Sequence, residues 1–389
     1  MSTLANFPLN PVAPMRNRSC EIVDTITEPL HKLSVTKERL DEASTVEVGQ
    51  TPSEVVSTED MLELHHYEPQ TDKQDDVPIL VIAALINKSY ILDLQPARSV
   101  IRHLLEDGHD VYLLKWNEPS RYDAGLTFSD YVNRYIANSV DEVCKRSGEE
   151  SINLLGYCTG GTMTAMYAAL HSEKVNALGL IASPLYLDDT GGLLELWSDE
   201  TYYDPETVIG IYGNMPSELL YVIFTLMDPV DSTVGKYIRL YENLDDEEFV
   251  KNFLRMERWF SDGIDVAGKT YIRLVEDIYQ DNKLFTNDFY LNGEHVDITE
   301  IDMPVLQITG EDDHLIPSEA SQPFNAVIGT DNVSTIEHPT GHIGLLFSNS
   351  SHEHVWPDVA EWFHTQSSKP RRNRQGRFST DSLHRKPAH

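Results

Sequence analysis

Cys158 lies in the stretch Leu154-Leu155-Gly156-Tyr157-Cys158-Thr159-Gly160-Gly161-Thr162-Met163. As a thiolate it would be a nucleophile, and such a nucleophile needs a base, which in turn needs a group to orient it. Histidine is the usual base near neutral pH. His342 stands between glycines in Pro339-Thr340-Gly341-His342-Ile343-Gly344. Glycines on both sides let a loop hold an imidazole tightly. Three carboxylates, Glu311, Asp312 and Asp313, follow the apolar run Val305 to Thr309. The order nucleophile, acid, histidine is one that a nucleophile on a sharp strand-to-helix turn uses. His314 and His338 are alternative bases, with ordinary surface or supporting roles as their simpler reading.

These groups need particular elements to hold them. Ile152 to Leu155 reads as a short buried strand, and Thr162 to Leu170 as a buried helix. Between them a Gly-x-Cys-x-Gly turn lifts the sulfur out at the helix N-terminus, whose partial positive charge favours thiolate. Gly156 and Gly160 avoid clashes where strand and helix backbones approach. A free cysteine is also a common small buried hydrophobe. The strand before the turn and the helix after it favour the chemical reading. An oxyanion developed on the acyl group would need two backbone N–H donors. One is Thr159, directly after the nucleophile. The other comes from the loop after the first core strand, at Ile86 or Asn87.

The chain has 389 residues, enough for one large domain with an insertion or for two domains. No apolar run reaches the ~18 residues of a membrane span. Met1 to Arg18 lacks an apolar signal core, so a cytoplasmic protein is expected. Three cysteines, Cys20, Cys144 and Cys158, offer neither a disulfide framework nor paired metal ligands, and no metal is expected. The formal net charge is −33, from 63 acidic and 30 basic residues. Such a surface repels phosphate backbones, which argues against nucleic-acid binding. It suits high salt, where self-repulsion is screened, so a halophilic source is expected.

Residues 1–45 read as a loose arm followed by a helix over Cys20 to Leu40, interrupted at Pro29. Val46 to Tyr67 alternates as early strands. From Ile79 the chain alternates strand and helix: a strand Ile79 to Ile86, a helix Ser99 to Asp107, a strand Val111 to Trp116, and a helix Phe128 to Lys145 with Tyr131, Tyr135, Val140 and Val143 inward. Further strands are expected at Leu178 to Ala182, Val305 to Thr309 and Ser334 to Glu337. This alternation predicts a mostly parallel, doubly wound α/β sheet. It divides the core into 46–185 and 301–365. Residues 186–300 break the rhythm and read as an inserted, largely helical cap, with helices at Leu219 to Met227, Phe249 to Phe260 and Tyr271 to Tyr279. Residues 366–389 hold seven basic residues and one acid, Asp381, which leaves the rest of the chain at −39. This tail lacks apolar periodicity and is expected to be disordered.

Five segments together resemble the poly(3-hydroxyalkanoate) synthases: Ile86 to Gln95, Gly156 to Gly161, Gly213-Asn214-Met215-Pro216, Asp313 to Pro317, and Gly341 to Gly344. The likeness spans about Val46 to Phe363, and the length is similar to the class III catalytic subunit. It implies an α/β-hydrolase fold. It also implies Cys158 as acyl acceptor, His342 as its base and Asp313, rather than Glu311 or Asp312, as the group that activates an incoming 3-hydroxyl. The substrates implied are an (R)-3-hydroxyacyl-CoA and the growing polyester chain, with coenzyme A as leaving group and no cofactor. A non-catalytic second subunit, a homodimer or hetero-oligomer, and a place at the surface of polyester granules in the cytoplasm are implied as well. Two departures stand out. Lys115-Trp116-Asn117-Glu118-Pro119 replaces the usual Asp-Trp-Gly-x-Pro, and Asp265 stands where a proline is usual. Two other readings are a cysteine hydrolase of the dienelactone type, which would lack the long insert, and a non-catalytic granule-surface scaffold.

Overall fold

The computed structural model describes residues 46–227 and 235–368. The N-terminal arm and helix expected over residues 1–45, and residues 369–389 of the expected tail, lie outside the described residues; Gln366 and Ser367, the first residues of that tail, instead close the helix Trp356–Ser367.

An eight-stranded sheet forms the centre. Its strands are β1 (Ser53–Glu59), β2 (Leu62–Tyr67), β3 (Ile79–Ile82), β4 (Val111–Trp116), β5 (Ile152–Tyr157), β6 (Val175–Ile181), β7 (Val305–Gly310) and β8 (Val333–His338). In space they run β1-β2-β4-β3-β5-β6-β7-β8. β2 pairs antiparallel with both β1 and β4, and every other pairing is parallel. The chain passes from β3 to β4 on one side of β3 and then returns to lay β5 on the other. That reversal leaves a crevice at the carboxyl ends of β3 and β5, where ligands of open α/β sheets bind.

Four helices flank the sheet: α1 (Val100–Glu106), α2 (Ala137–Ser147), α3 (Thr159–Leu170) and α4 (Trp356–Ser367). The Ser99 side chain caps α1 by accepting from the Arg102 N–H. Gly148, at φ +80°, ends α2. A π-helical stretch, Asp130–Ile136, leads into α2, so the long helix expected over Phe128 to Lys145 is present in two geometries. Its four expected inward residues are all buried.

Strand alternation sorts the core. Leu80, Ile82, Leu114, Ile152 and Leu154 join one apolar cluster with Tyr131, Val140, Met163 and Met166. The intervening Ile79, Val81, Val111, Leu113 and Leu155 are equally buried. Both sheet faces are therefore covered, as near-continuous apolar strands require. On the second face, Phe363 of α4 reaches so close to Gly179 that a Cβ there would lie 3.0 Å from its ring and 2.7 Å from Leu155.

Some boundaries differ from expectation. Val46 and Val48 precede the first strand, which begins at Ser53. β3 ends at Ile82, because Ala83 to Ile86 leaves the ladder to run over the start of α3. Residues 186–300 are mainly helical, with helices Leu193–Ser198, Pro205–Tyr212, Ser217–Met227, Lys236–Glu242, Glu247–Ser261 and Gly268–Arg273, the last continuing as a π-helix over Leu274–Gln280.

By its contacts the chain divides into two compact units. Among the described residues the larger comprises 47–227 and 258–368. In the other, which includes residues 235–257, Lys236 pairs with Glu257 at 2.7 Å and Tyr237 packs edge-on to Phe253. No helix among the described residues is long and apolar enough to cross a membrane.

Candidate active site

Cys158 occupies the single residue between β5 and α3, at φ +53° and ψ −126°. A non-glycine residue at positive φ is strained, and such strain persists only where the surroundings impose it. Here the Cys158 N–H donates to the Ile181 carbonyl, and its own carbonyl accepts from Gly161. The neighbouring glycines explain how the turn closes. A Cβ on Gly156 would lie 2.5 Å from the Gly161 Cα, and one on Gly160 would lie 2.4 Å from the Ile82 carbonyl oxygen. Gly161 has the same constraint against Ser183.

The candidate base, His342, comes from the loop after β8, and the candidate acid, Asp313, from the loop after β7. His342 Nδ1 meets Asp313 Oδ2 at 2.7 Å. The other oxygen, Oδ1, accepts from the backbone N–H groups of Leu315 and Ile316 at 3.0 and 2.9 Å. Asp313 is buried, whereas Glu311, Asp312 and His314 are exposed. His338 is buried but engages the Ser350 hydroxyl at 2.7 Å. Of the alternatives in the sequence, His342 and Asp313 are thus the pair brought together. The glycines beside His342 differ in necessity: a Cβ on Gly344 would strike the Thr340 hydroxyl, while Gly341 has room.

The His342 pKa is pushed up to about 10. Burial works against its charged form, but the Asp313 carboxylate and the Cys158 thiol outweigh it. Such a site stabilises an imidazolium at the moment it has taken a proton. Two buried tyrosines also interact electrostatically with Cys158. The Tyr157 ring lies 5.2 Å from the His342 ring, and its buried hydroxyl has no hydrogen-bond partner. Burial, then Cys158 and Asp313, raise the Tyr157 pKa; burial, then Cys158, raise that of Tyr279. The sequence reading passed over both, since a tyrosine in an apolar strand or helix looks like core.

The loop after β3 is tied to the elbow. The Leu85 N–H donates to Thr159 Oγ1 at 3.1 Å, which sets the next residue, Ile86, beside the start of α3. The Ile86 carbonyl accepts from Ile264, and the Trp259 indole donates to the Lys88 carbonyl. The segment Ile86 to Gln95 turns on buried Asp93, which accepts from the Thr51 hydroxyl and N–H and from the Ser99 hydroxyl. Tyr90 donates to Asp262 at 2.8 Å. In the Gly213 to Pro216 segment, buried Asn214 donates to the carbonyls of Pro119 and Ser120 and accepts from Gly268. That amide anchors the loop after β4, where the sequence departs from the usual pattern. Asp265, the other departure, accepts from the Ser217 N–H at the start of the next helix.

Residues 77–348 match the family model described as alpha/beta hydrolase fold, and the sheet order and elbow are those of that class. Residues 22–104 match the model of the poly-beta-hydroxybutyrate polymerase (PhaC) N-terminus. The poly(3-hydroxyalkanoate) polymerase subunit PhaC of Haloarcula marismortui is 54% identical over 372 residues, covering 94% of this chain and 78% of that one. Its counterpart in Haloferax mediterranei is 57% identical over 340 residues, covering 87% of this chain and 69% of that one. That of Thiocystis violacea is 35% identical, covering 91% of this chain and 99% of its own. The chain belongs to the poly(3-hydroxyalkanoate) polymerase family. Its likeness to proteins of two halophilic archaea agrees with the source inferred from its acidity.

Proposed function

We propose that the chain links (R)-3-hydroxyacyl units, delivered as coenzyme A thioesters, into a poly(3-hydroxyalkanoate), through an acyl group carried on Cys158. The observation that carries this reading is a cysteine at the elbow, beside a buried Asp313–His342 pair, in a member of this family.

The chemistry runs in two halves. The Cys158 sulfur attacks the thioester carbonyl carbon as its proton passes to His342. The N–H groups of Thr159 and Ile86 receive the developing oxyanion. The bond to the coenzyme A sulfur breaks, and the leaving thiolate takes the proton from His342. One thioester has replaced another at little energetic cost. In the second half a hydroxyl, from another monomer or a chain end, gives its proton to His342 and attacks the acyl carbon. The bond to Cys158 breaks, the thiol is restored, and an oxoester remains. This step is downhill. Asp313 already spends both oxygens on His342 and two backbone N–H groups, so its geometry supports a role in orienting the imidazole. Buried Tyr157 and Tyr279, with the helices Leu193–Ser198 to Ser217–Met227 and Gly268–Arg273, serve to exclude water, which would otherwise hydrolyse the acyl-enzyme. No cofactor enters this scheme. A non-catalytic second subunit, an oligomeric state and attachment to the granule surface in the cytoplasm complete the proposal.

The test is the purified chain in high salt, with and without a co-purifying partner, supplied with (R)-3-hydroxybutyryl-CoA. Released coenzyme A and insoluble polyester are expected, and both vanish in Cys158→Ala. Free 3-hydroxybutyrate without polymer would make the chain a hydrolase. No coenzyme A release, with Cys158→Ala behaving as wild type, would make it a scaffold.

A further inference from the structure

At the amino ends of the strands, opposite the triad, three side chains from distant parts of the chain converge. Asp75 lies in the turn before β3, His109 directly before β4, and His364 on α4. Asp75 Oδ2 is 2.6 Å from His364 Nδ1 and 3.1 Å from His109 Nδ1. One ligand atom from each of the three lies within 4.8 Å of the others.

The far nitrogens fix the protons. His109 Nε2 lies 3.1 Å from the Ala360 carbonyl oxygen. His364 Nε2 lies 2.9 Å from the Asp107 carbonyl oxygen and 3.0 Å from its carboxylate. Carbonyls and carboxylates only accept, so each Nε2 carries a hydrogen. In a neutral ring the remaining nitrogen, Nδ1, is then a bare lone pair. Both Nδ1 atoms face the same Asp75 oxygen, itself an acceptor. His109 is fully buried, and its Nδ1 makes no hydrogen bond. With both rings neutral, three acceptors would meet in a half-buried site, which is unfavourable unless something positive lies among them.

We propose that Asp75, His109 and His364 hold a divalent metal ion of the zinc class, which fastens α4 to the turns before β3 and β4. Two imidazoles and a carboxylate are ligands zinc accepts, at about 2.0–2.2 Å. Tetrahedral placement sets such ligands roughly 3.3 Å apart, so the 2.6 and 3.1 Å gaps to Asp75 open by about 0.7 and 0.2 Å around the ion. The oxygens of Ala360 and Asp107 on the far nitrogens are the outer partners that orient metal-bound histidines. Water fills the fourth position. His364 and Asp75 are partly exposed, which gives the ion a way in.

The experiment uses the full chain, purified without a polyhistidine tag, stripped by a chelator and returned to high salt. Titration with Co²⁺ is expected to give the intense visible bands of a four-coordinate site, saturating at one ion per chain and displaced by Zn²⁺. Zn²⁺ is expected to raise the unfolding temperature of the stripped protein. His364→Gln and Asp75→Asn should each weaken binding by at least about 100-fold, beyond the ~10–100-fold typical of losing an outer partner. Binding well below one ion per chain, or octahedral bands only, would overturn the proposal and leave paired imidazoliums on Asp75. Wild-type affinity in both variants would also overturn it, because the ion would then sit elsewhere. The wild-type titration decides the matter even if a variant does not fold.

Discussion

Asp313 holds His342 through one carboxylate oxygen and is itself held through the other. Oδ2 meets Nδ1 of the imidazole at 2.7 Å, and Oδ1 is taken by two backbone N–H groups. The carboxylate is therefore fixed before any substrate arrives, and it fixes the tautomer of its partner in turn. With Nδ1 turned to Asp313, Nε2 is the nitrogen left to exchange a proton with the sulfur or a hydroxyl.

Asp313→Asn separates orientation from base catalysis. An amide can present its N–H to His342 and trap the wrong tautomer, a change that costs a serine protease triad about 10⁴-fold. Loss on the order of 10³–10⁴-fold is expected here, equally in acylation and elongation. Single-turnover coenzyme A release, compared with polymer growth, reads both. Normal acylation with failed elongation would instead make Asp313 the base for the incoming hydroxyl.

The raised pKa of His342 makes part of the stability depend on pH. The folded value, about 10, lies above the ordinary histidine value of 6.5, so between these the native state holds a proton that the unfolded state releases. The contribution is complete below about 6.5 and is lost as pH rises through about 10. Urea midpoints of wild type and His342→Gln should therefore differ most near pH 6 and converge above pH 10. A difference that widens with pH would contradict the assignment.

Two glycine-to-alanine changes should move stability in opposite directions. At Gly160 a methyl group would meet the Ile82 and Ala83 carbonyl oxygens at 2.4 and 2.5 Å, both backbone atoms. Gly160→Ala should cost about 3 kcal/mol or more and disrupt the elbow. At Gly210, within the helix Pro205–Tyr212, nothing lies within 4 Å. Gly210→Ala should stabilise by roughly 0.5–1 kcal/mol with coenzyme A release unchanged. Chemical denaturation measures both.

Tyr157→Phe removes a buried hydroxyl that has no hydrogen-bond partner. The ring and its contact with His342 remain. A gain of about 1 kcal/mol is expected, since an unsatisfied hydroxyl costs about 1–3 kcal/mol. Destabilisation on thermal unfolding would mean that a water bridges the group.

The order of β and α segments was readable wherever apolar periodicity was strong. Val111 to Trp116 matches β4 end to end, and the elbow strand differs only in running on to Tyr157. Ile79 to Ile86 looked like one strand because an apolar run does not show where a chain leaves its ladder. The placement of Cys158 on a sharp turn, and of Asp313 and His342 in loops after strands, was legible because such turns and loops leave local marks. Asp93 and Asn214 stood within recognised segments, but their roles as buried hydrogen-bond centres depend on partners such as Thr51 and Pro119, far away in sequence. The cluster at Asp75, His109 and His364 has no local spacing to reveal it. Counting cysteines addressed only cysteine-based metal sites.

The contact between Asp75 and His364 spans 289 residues. A ribosome must therefore complete almost the whole described chain before this end of the sheet can close. Until α4 emerges, Gly179, Leu155 and the apolar sheet face that α4 covers have no partner, and nascent chains are exposed to aggregation at that stage. Synthesis rate and chaperone supply, more than the catalytic groups, should then govern the yield of active protein in a foreign host.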